Sequence, residues 1–310
     1  MKSVVLSLLL AASAAAQTLS VSETEKEIQV MNGDKPVMTY HKALVPPPPE
    51  ADPIFTRSGF IHPLHAPAGG VVTGIHPADH YHHLGLWHAW VHGEHEGKPV
   101  DFWNLKAKTG RVQFVKTLET KQQDGVAGFV VEQEQLRYRD GKGGEPLVVL
   151  REKLSVMTRL VEGAYEIDYD IEQKNVSEHA LVLAAYRYGG GIAYRAPLDW
   201  DATNSDYQTS EGKTRKDSHA TRAKWIAMHG PTAKGEATVT VFCHPKNHDA
   251  PQKLRTWDNG KIFLNYVPIQ ETAWEIKAGE TITLRYRVVI ADGKTDAAAL
   301  NTRWERYAKE

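Results

Sequence analysis

Beyond the first sixteen residues, apolar and polar positions alternate with a period of two in one segment after another, the pattern of strands with one buried face. In "EIQVMNGDKPVMTYH" two such runs are parted by Asn32-Gly33-Asp34, a strong hairpin signal. The tract Pro46 to Pro49 that follows has no N–H to offer a sheet, so "VPPPPEADPIF" reads as a stiff extended connection. From Gly110 the strand pattern resumes in "RVQFVKTLET", "GVAGFVVEQEQLRY", "PLVVLREKLSVM", "AYEIDYDIEQKN" and "HALVLAAYRYG", and again in "ATVTVFCHP", "GKIFLNYVP" and "ETITLRYRVVIADG". Several joints are polar or glycine-bearing, such as "KQQDG" and "RDGKGGEP". Many short strands with turns between them predict antiparallel sheets packed face to face. Only the chain end departs, where Ala297, Leu300, Trp304 and Tyr307 fall at helical spacing and predict one amphipathic helix over about 295–308. With no internal repeat, the expectation is a single all-β domain over 17–310, a large antiparallel β-sandwich with one C-terminal helix.

The first residues change where the chain is expected to act. "MKSVVLSLLLAASAAAQT" has a lysine, a short apolar run and small residues ending at Ala16, the layout of a cleavable signal peptide over 1–16 and hence of a periplasmic or secreted protein. No segment approaches the roughly 20 apolar residues of a membrane-spanning helix, so no membrane insertion is expected. Formal net charge is −1, with Lys and Arg scattered, and nothing draws the chain to nucleic acid. The single cysteine, Cys243, excludes an intrachain disulfide and a cysteine-built zinc site, and reads as a small core residue.

Candidate chemistry concentrates in one place. Nine of the 15 histidines lie between His62 and His95, six of them in the sixteen positions from His80 to His95. Histidine is both the commonest metal ligand and the commonest acid or base near neutral pH. In "DHYHHLGLWHAWVHGEH", an extended segment would put His80 and His82 on one face and His83 on the other. His88 and His92 would share a face in either a strand or a helix, beside Trp87 and Trp90. One divalent transition metal is a possible cofactor, held by His80, His82 and His83 with Asp79, Glu94 or Asp101 as oxygen donors, although no known zinc spacing is present. Acid–base work without a metal and a purely structural cluster stay open beside it.

Eight tryptophans, several in turn-rich polar stretches, offer faces that stack on sugar rings, Trp87 among them. The run Gly189-Gly190-Gly191 in "AYRYGGGIAYRAPLDW" lacks the spacing of a nucleotide loop, so no nucleotide is expected; it marks a bend or a close approach to a ligand, flanked by Arg187 and Arg195. Arg195 has the planar fork that clamps a carboxylate or polyol. "TSEGKTRKDSHATRAKW", with Glu211 and Arg222, reads as a loop closing a cleft. "CHPKNHDAPQKLRTW" places His244, Asn247 and His248 after a strand end, where side chains can be presented.

Taken in order, "GFIHPLHAPAGGVVTGIHP", "DHYHHLGLWHAWVHG" with "DFWN", "YRYGGGIAYR", "SEG", "FCHPKN" and "LRYRVVIADG" resemble the bacterial family labelled PmoA-like, or methane oxygenase PmoA-like. The resemblance covers most of the chain and centres on D-H-x-H-H-x-G-L-W. It implies a soluble, often exported β-rich protein, similar in fold to the large sandwich of galactose mutarotase relatives, which hold sugars in a histidine-bearing cleft. Methane oxidation does not follow, since the chain has no membrane-spanning segment.

The expected function is therefore a carbohydrate-active enzyme that acts on a sugar or glycan by histidine-mediated proton transfer, with epimerisation, elimination and hydrolysis all open. His80, His82 and His83 would supply acid, base or metal ligand and Asp79 would orient an imidazole. Trp87, Arg195, Glu211, His244 and Asn247 would bind substrate. The alternative is a non-catalytic protein that binds a glycan or a transition metal through the same cluster.

Overall fold

The Asn32-Gly33-Asp34 break is a tight hairpin, with Gly33 at φ +61° joining strands Glu27–Asn32 and Lys35–His41. A left-handed turn position of this kind is cheap for glycine and strained for most other residues. The computed structural model describes residues 18–140 and 143–310; the expected signal peptide, 1–16, lies outside the described residues. The hairpin belongs to an eight-stranded sheet ordered Leu19–Glu23, Glu27–Asn32, Lys35–His41, Phe60–Leu64, Leu86–Trp87, Ala193–Arg195, Phe263–Val267 and Lys253–Thr256. A second eight-stranded sheet runs Asp206–Thr209, Trp225–Thr232, Gly235–Cys243, Thr281–Asp292, Ala164–Asn175, Pro146–Val161, Val126–Tyr138 and Gly110–Gln123. A four-stranded sheet of Trp274–Ile276, Leu181–Leu183, Gly93–His95 and Lys98–Val100 completes the set. Neighbouring strands in all three sheets pair antiparallel, as the short alternating segments predict.

The two large sheets pack face to face. Their inner side chains form one apolar cluster that includes Ile28, Val30 and Leu264 of the first sheet and Phe129, Ile167 and Val241 of the second. Tyr40 of the first sheet tilts against Phe129 of the second at 4.9 Å, and Tyr266 stacks on Tyr286 at 5.9 Å. The predicted helix is Ala297–Tyr307, and it covers the outer face of the second sheet by burying Leu300 and Tyr307 against Trp225, Phe242 and Val289. Asp296 starts it by accepting the N–H groups of Ala298 and Ala299. Cys243 is a buried core thiol, and burial pushes it up to about 11. No helix among the described residues is long and apolar enough to cross a membrane.

One buried layer between the sheets is polar, and His88 sits in it. The segment "GLWHAWVHG", open to strand or helix in the sequence, is a strand only over Leu86–Trp87, and His88 is buried in the core with only 3% of its surface exposed. Its Nδ1 lies 2.7 Å from the Gly190 carbonyl and its Nε2 2.7 Å from the Glu152 carboxylate. Gln173 donates to the same carboxylate at 2.7 Å, Gln133 donates to its other oxygen at 3.2 Å, and the Trp90 indole donates to Gln173. Burial raises the Glu152 carboxyl, but His88 and the glutamines outweigh it and hold the group below the usual carboxylate range. His92 is elsewhere, stacked on Tyr186 at 3.7 Å, so the shared face expected of His88 and His92 does not form.

The triglycine bends toward the core and not toward a ligand. A Cβ on Gly190 would lie 2.0 Å from the Trp90 ring, and one on Gly191 would lie 2.1 Å from the Tyr266 carbonyl. Gly190 also has φ +91°, so this position excludes other residues twice over.

Candidate functional site

The segment around His80 is a loop, and that decides where its imidazoles point. An isolated bridge between Ile75 and Leu84 closes its ends, and two successive turns fold it, His80 N–H to the Pro77 carbonyl and His83 N–H to the His80 carbonyl. Strand alternation therefore does not apply, and His80, His82 and His83 converge instead of splitting between two faces. Ring centroids are 5.6 Å apart for His80 and His82 and 4.9 Å for each of the other two pairs.

The three rings line a cavity of about 130 Å³ with Trp103, Trp257, Phe263, Tyr188 and the guanidinium groups of Arg187 and Arg255. This is smaller than the roughly 300 Å³ of an ordinary small-molecule pocket. It adjoins a groove of about 500 Å³ that shares His80, Arg255 and Trp257 with it and is otherwise formed by residues 215–217, His219, Thr256 and Asp258-Asn259. A groove of about 540 Å³ on the second sheet holds one imidazole, His229, which already faces Glu236 at 3.4 Å.

Each imidazole has a different environment. His83 is 2% exposed and lies stacked on both Phe263, at 4.6 Å, and His80, at 4.9 Å. Burial, then His82 and Arg195 nearby, hold it well below the ordinary imidazole value, and its Nδ1 has no partner. Burial, with His80 and the cations Arg57 and Lys106 beside it, pushes His82 down to about 4. His80 stands at the mouth, its side chain 38% exposed, with Nδ1 3.4 Å from the Asp79 carboxylate. Burial outweighs the pull of Asp79 and leaves His80 below its ordinary value. Asp79 in turn is fixed by an ion pair with Lys261.

These stacked rings do not suit one metal ion, which needs three or four donor atoms aimed at a common point. No group of three or more His, Cys, Asp or Glu side chains among the described residues has a metal-holding arrangement. The oxygen donors expected nearby are occupied or turned away. Asp101 accepts the N–H groups of Trp103 and Asn104 and so fixes the turn that carries Trp103, while Glu94 is exposed on strand Gly93–His95.

The other predicted residues fall into two groups. Arg195 is near the cluster, 2% exposed, its guanidinium 5.1 Å over the Trp257 ring and its Nε and Nη1 without hydrogen-bond partners. Trp87 packs against His83 at 5.3 Å and Trp103 at 5.1 Å but is fully buried beneath the lining, so it supports the site and offers no stacking face. His244 and Asn247 are remote. His244 is fully buried with its ring edge on Tyr307 of the helix, and Asn247 clamps the backbone of Arg285 through both amide atoms. Glu211 is exposed in a turn and accepts from Ser210, away from the cavity lining. Arg222 is taken up by Asp249 and Glu271.

Reading the sequence for sites left out Phe263 and Arg255, and counted Trp257 among the tryptophans of polar stretches without placing it in the site. Trp257 directly follows strand Lys253–Thr256, the same position after a strand end that drew notice to His244, whereas Phe263 looks like any core strand residue.

Residues 27–305 match the family described as "Family of unknown function (DUF6807)". The chain belongs to that family. This corrects the PmoA-like assignment, because the DUF6807 match takes in the stretches on which that resemblance was based. No curated protein matches the chain. Among solved structures it is similar to a galactose mutarotase related enzyme from Lactobacillus acidophilus, at 10% identity and TM-score 0.38, over 90% of this chain and 99% of that one. A galactose mutarotase-like protein from Clostridium acetobutylicum is similar at 10% identity and TM-score 0.36, over 88% of this chain and 95% of that one. A GH36 α-galactosidase from Geobacillus stearothermophilus matches at 12% identity and TM-score 0.31, over 87% of this chain but 40% of its own length. Likenesses of this size transfer no activity to the DUF6807 chain, and its function is argued from its own residues.

Proposed function

We propose that this chain binds a saccharide over the His80–His82–His83 cavity and moves a proton on it, with His80 as the exchanging group. The observation that carries this reading is the convergence of three imidazoles on an aromatic-walled cavity. Trp257, 9% exposed, offers an apolar ring face of the kind that stacks on sugars, and Trp103, almost fully buried, closes the cavity wall. The unpartnered Trp103 Nε1–H is a donor, and His83 Nδ1 a donor or acceptor by tautomer, left for a ligand's hydroxyls, since a buried polar atom without a partner costs free energy.

Roles follow from the three environments. His80 is the reachable imidazole and the one with a carboxylate partner, and Asp79, itself fixed by Lys261, orients it and stabilises the imidazolium formed when it takes a proton. His82 and His83, held neutral by burial, serve as hydrogen-bonding groups. The leader-like residues 1–16 support action outside the cytoplasm.

The test is a panel of mono- and disaccharides read first by melting temperature. Saturation at 100 times Kd stabilises by about 2.7 kcal/mol. Sugars that bind are then incubated in D2O and followed by NMR for anomer interconversion or exchange of carbon-bound hydrogen. Exchange lost in His80→Ala with binding kept supports the assignment. Binding without any exchange, in wild type and variant alike, leaves a glycan-binding protein and removes the catalytic half of the proposal.

A further inference from the structure

The permanent charges on the cavity lining are those of two arginines. Arg187 and Arg255 reach the lining together with three imidazoles, while no Asp or Glu does so. Neither guanidinium has a carboxylate partner among the ion pairs of the described residues; Arg255 Nη1 instead faces the His219 ring nitrogen at 3.3 Å. Burial and then the like charge of Arg187 disfavour the charged form of Arg255 and outweigh the opposing pull of Tyr188 and Asp258, neither of which is ion-paired with it. A third cation, Arg195, is buried behind Trp257 with two of its nitrogens unpartnered.

A guanidinium withdrawn from water without a counter-charge is costly; that cost falls on buried Arg195 and in part on half-buried Arg255, while exposed Arg187 adds like charge beside Arg255. Nearby carboxylates do not remove it. Asp79 is taken by Lys261, Asp217 pairs with Lys213 at 3.2 Å, and Asp258 lies in the outer groove beyond the small cavity. An oxyanion in the small cavity would supply the missing charge, and planar donor forks suit its geometry.

We propose that the ligand is an anionic sugar, whose carboxylate, sulfate or phosphate group enters the small cavity between Arg187 and Arg255 while its ring lies in the adjoining groove on Trp257. This rests on the saccharide reading above and adds the substrate class to it. Arg195 acts from behind Trp257 as a fixed positive charge, and a direct contact with the ligand would require that indole to move.

The experiment is calorimetric titration of the full chain with galacturonate, a sugar sulfate, a sugar 6-phosphate, galactose, glucose and inorganic sulfate, each at low and at 0.15 M salt. Tenfold or tighter binding of one anionic sugar over its neutral counterpart is expected, weakening with salt. Arg255→Met and Arg187→Met, at half-buried and exposed positions that tolerate the change in folding, should each cut that affinity at least tenfold and lower any neutral-sugar affinity by a smaller factor. Arg255→Lys should recover part of the loss. Neutral sugars bound as tightly as anionic ones would overturn the anion assignment and leave the saccharide reading standing. Inorganic sulfate bound with no sugar bound would do the reverse. Anionic affinity unmoved in both Met variants would overturn the placement of the oxyanion.

Discussion

At the residue scale, location divides histidines that look alike in the sequence. His80 is half open beside a carboxylate, His83 is stacked between rings, and His88 is sealed in the core against Glu152. Replacing His80 with alanine should lower turnover about 10²- to 10⁴-fold once a substrate is in hand, with stability nearly unchanged, because its side chain is partly solvated. The activity ratio and the melting temperature together check this. Glu152 should behave in the opposite way. Glu152→Leu leaves the buried His88 ring without its carboxylate and three glutamine amides without an acceptor, and should cost about 3–5 kcal/mol in urea denaturation. The sequence set His80 and His83 apart from His88 as candidates for chemistry, but it did not show that His88 would be sealed against Glu152, because a residue's type says nothing about which side of a sheet will cover it.

At the element scale, short loops and caps carry the geometry. The site loop holds its three imidazoles together because it folds in two turns, and the triglycine brings Gly190 against Trp90, whose indole donates to the polar layer around Glu152. Gly190→Ala combines a positive φ with a Cβ contact inside the van der Waals limit, so it should destabilise by about 2–4 kcal/mol. Gly33→Ala, at a hairpin with open space around the new methyl, should cost less, and comparing the two midpoints separates strain from clash. Asp296→Ala removes the side-chain acceptor at the helix start and should cost about 1 kcal/mol. These elements were largely legible: the hairpin, the long strands and the C-terminal helix all follow from local periodicity. The loop at His80 was not, because a short polar run reads equally as strand or turn until its ends are pinned.

At the scale of the whole molecule, the fold holds histidines in neutral form at three separate places, the first sheet, the site loop and the layer under the helix. Burial pushes His62, His82 and His244 each down to about 4. Their unfolded counterparts titrate near 6.5. As pH falls from about 6.5 toward 4, the unfolded chain takes up protons that the folded chain refuses, so stability is lost across that window and stays constant with respect to these groups below it. Melting temperature should therefore drop by several degrees between pH 6.5 and 4.5, before most carboxylates titrate. His62→Gln, in the first sheet and outside the proposed site, should flatten part of that slope.

The sequence by itself determined the fold class, the hairpin, the helix and the stretch in which the candidate site would be found, since each depends on local pattern and composition. Only the tertiary structure decided which histidines meet and which residues wall them. Trp257, Phe263 and Arg255 come from strands some 170 residues away, and His244 and Asn247, equally polar on paper, end under a helix on the opposite sheet. The physical reason is that strand periodicity fixes which side of a strand a residue faces, while its neighbours across the sandwich are fixed by pairing order and packing.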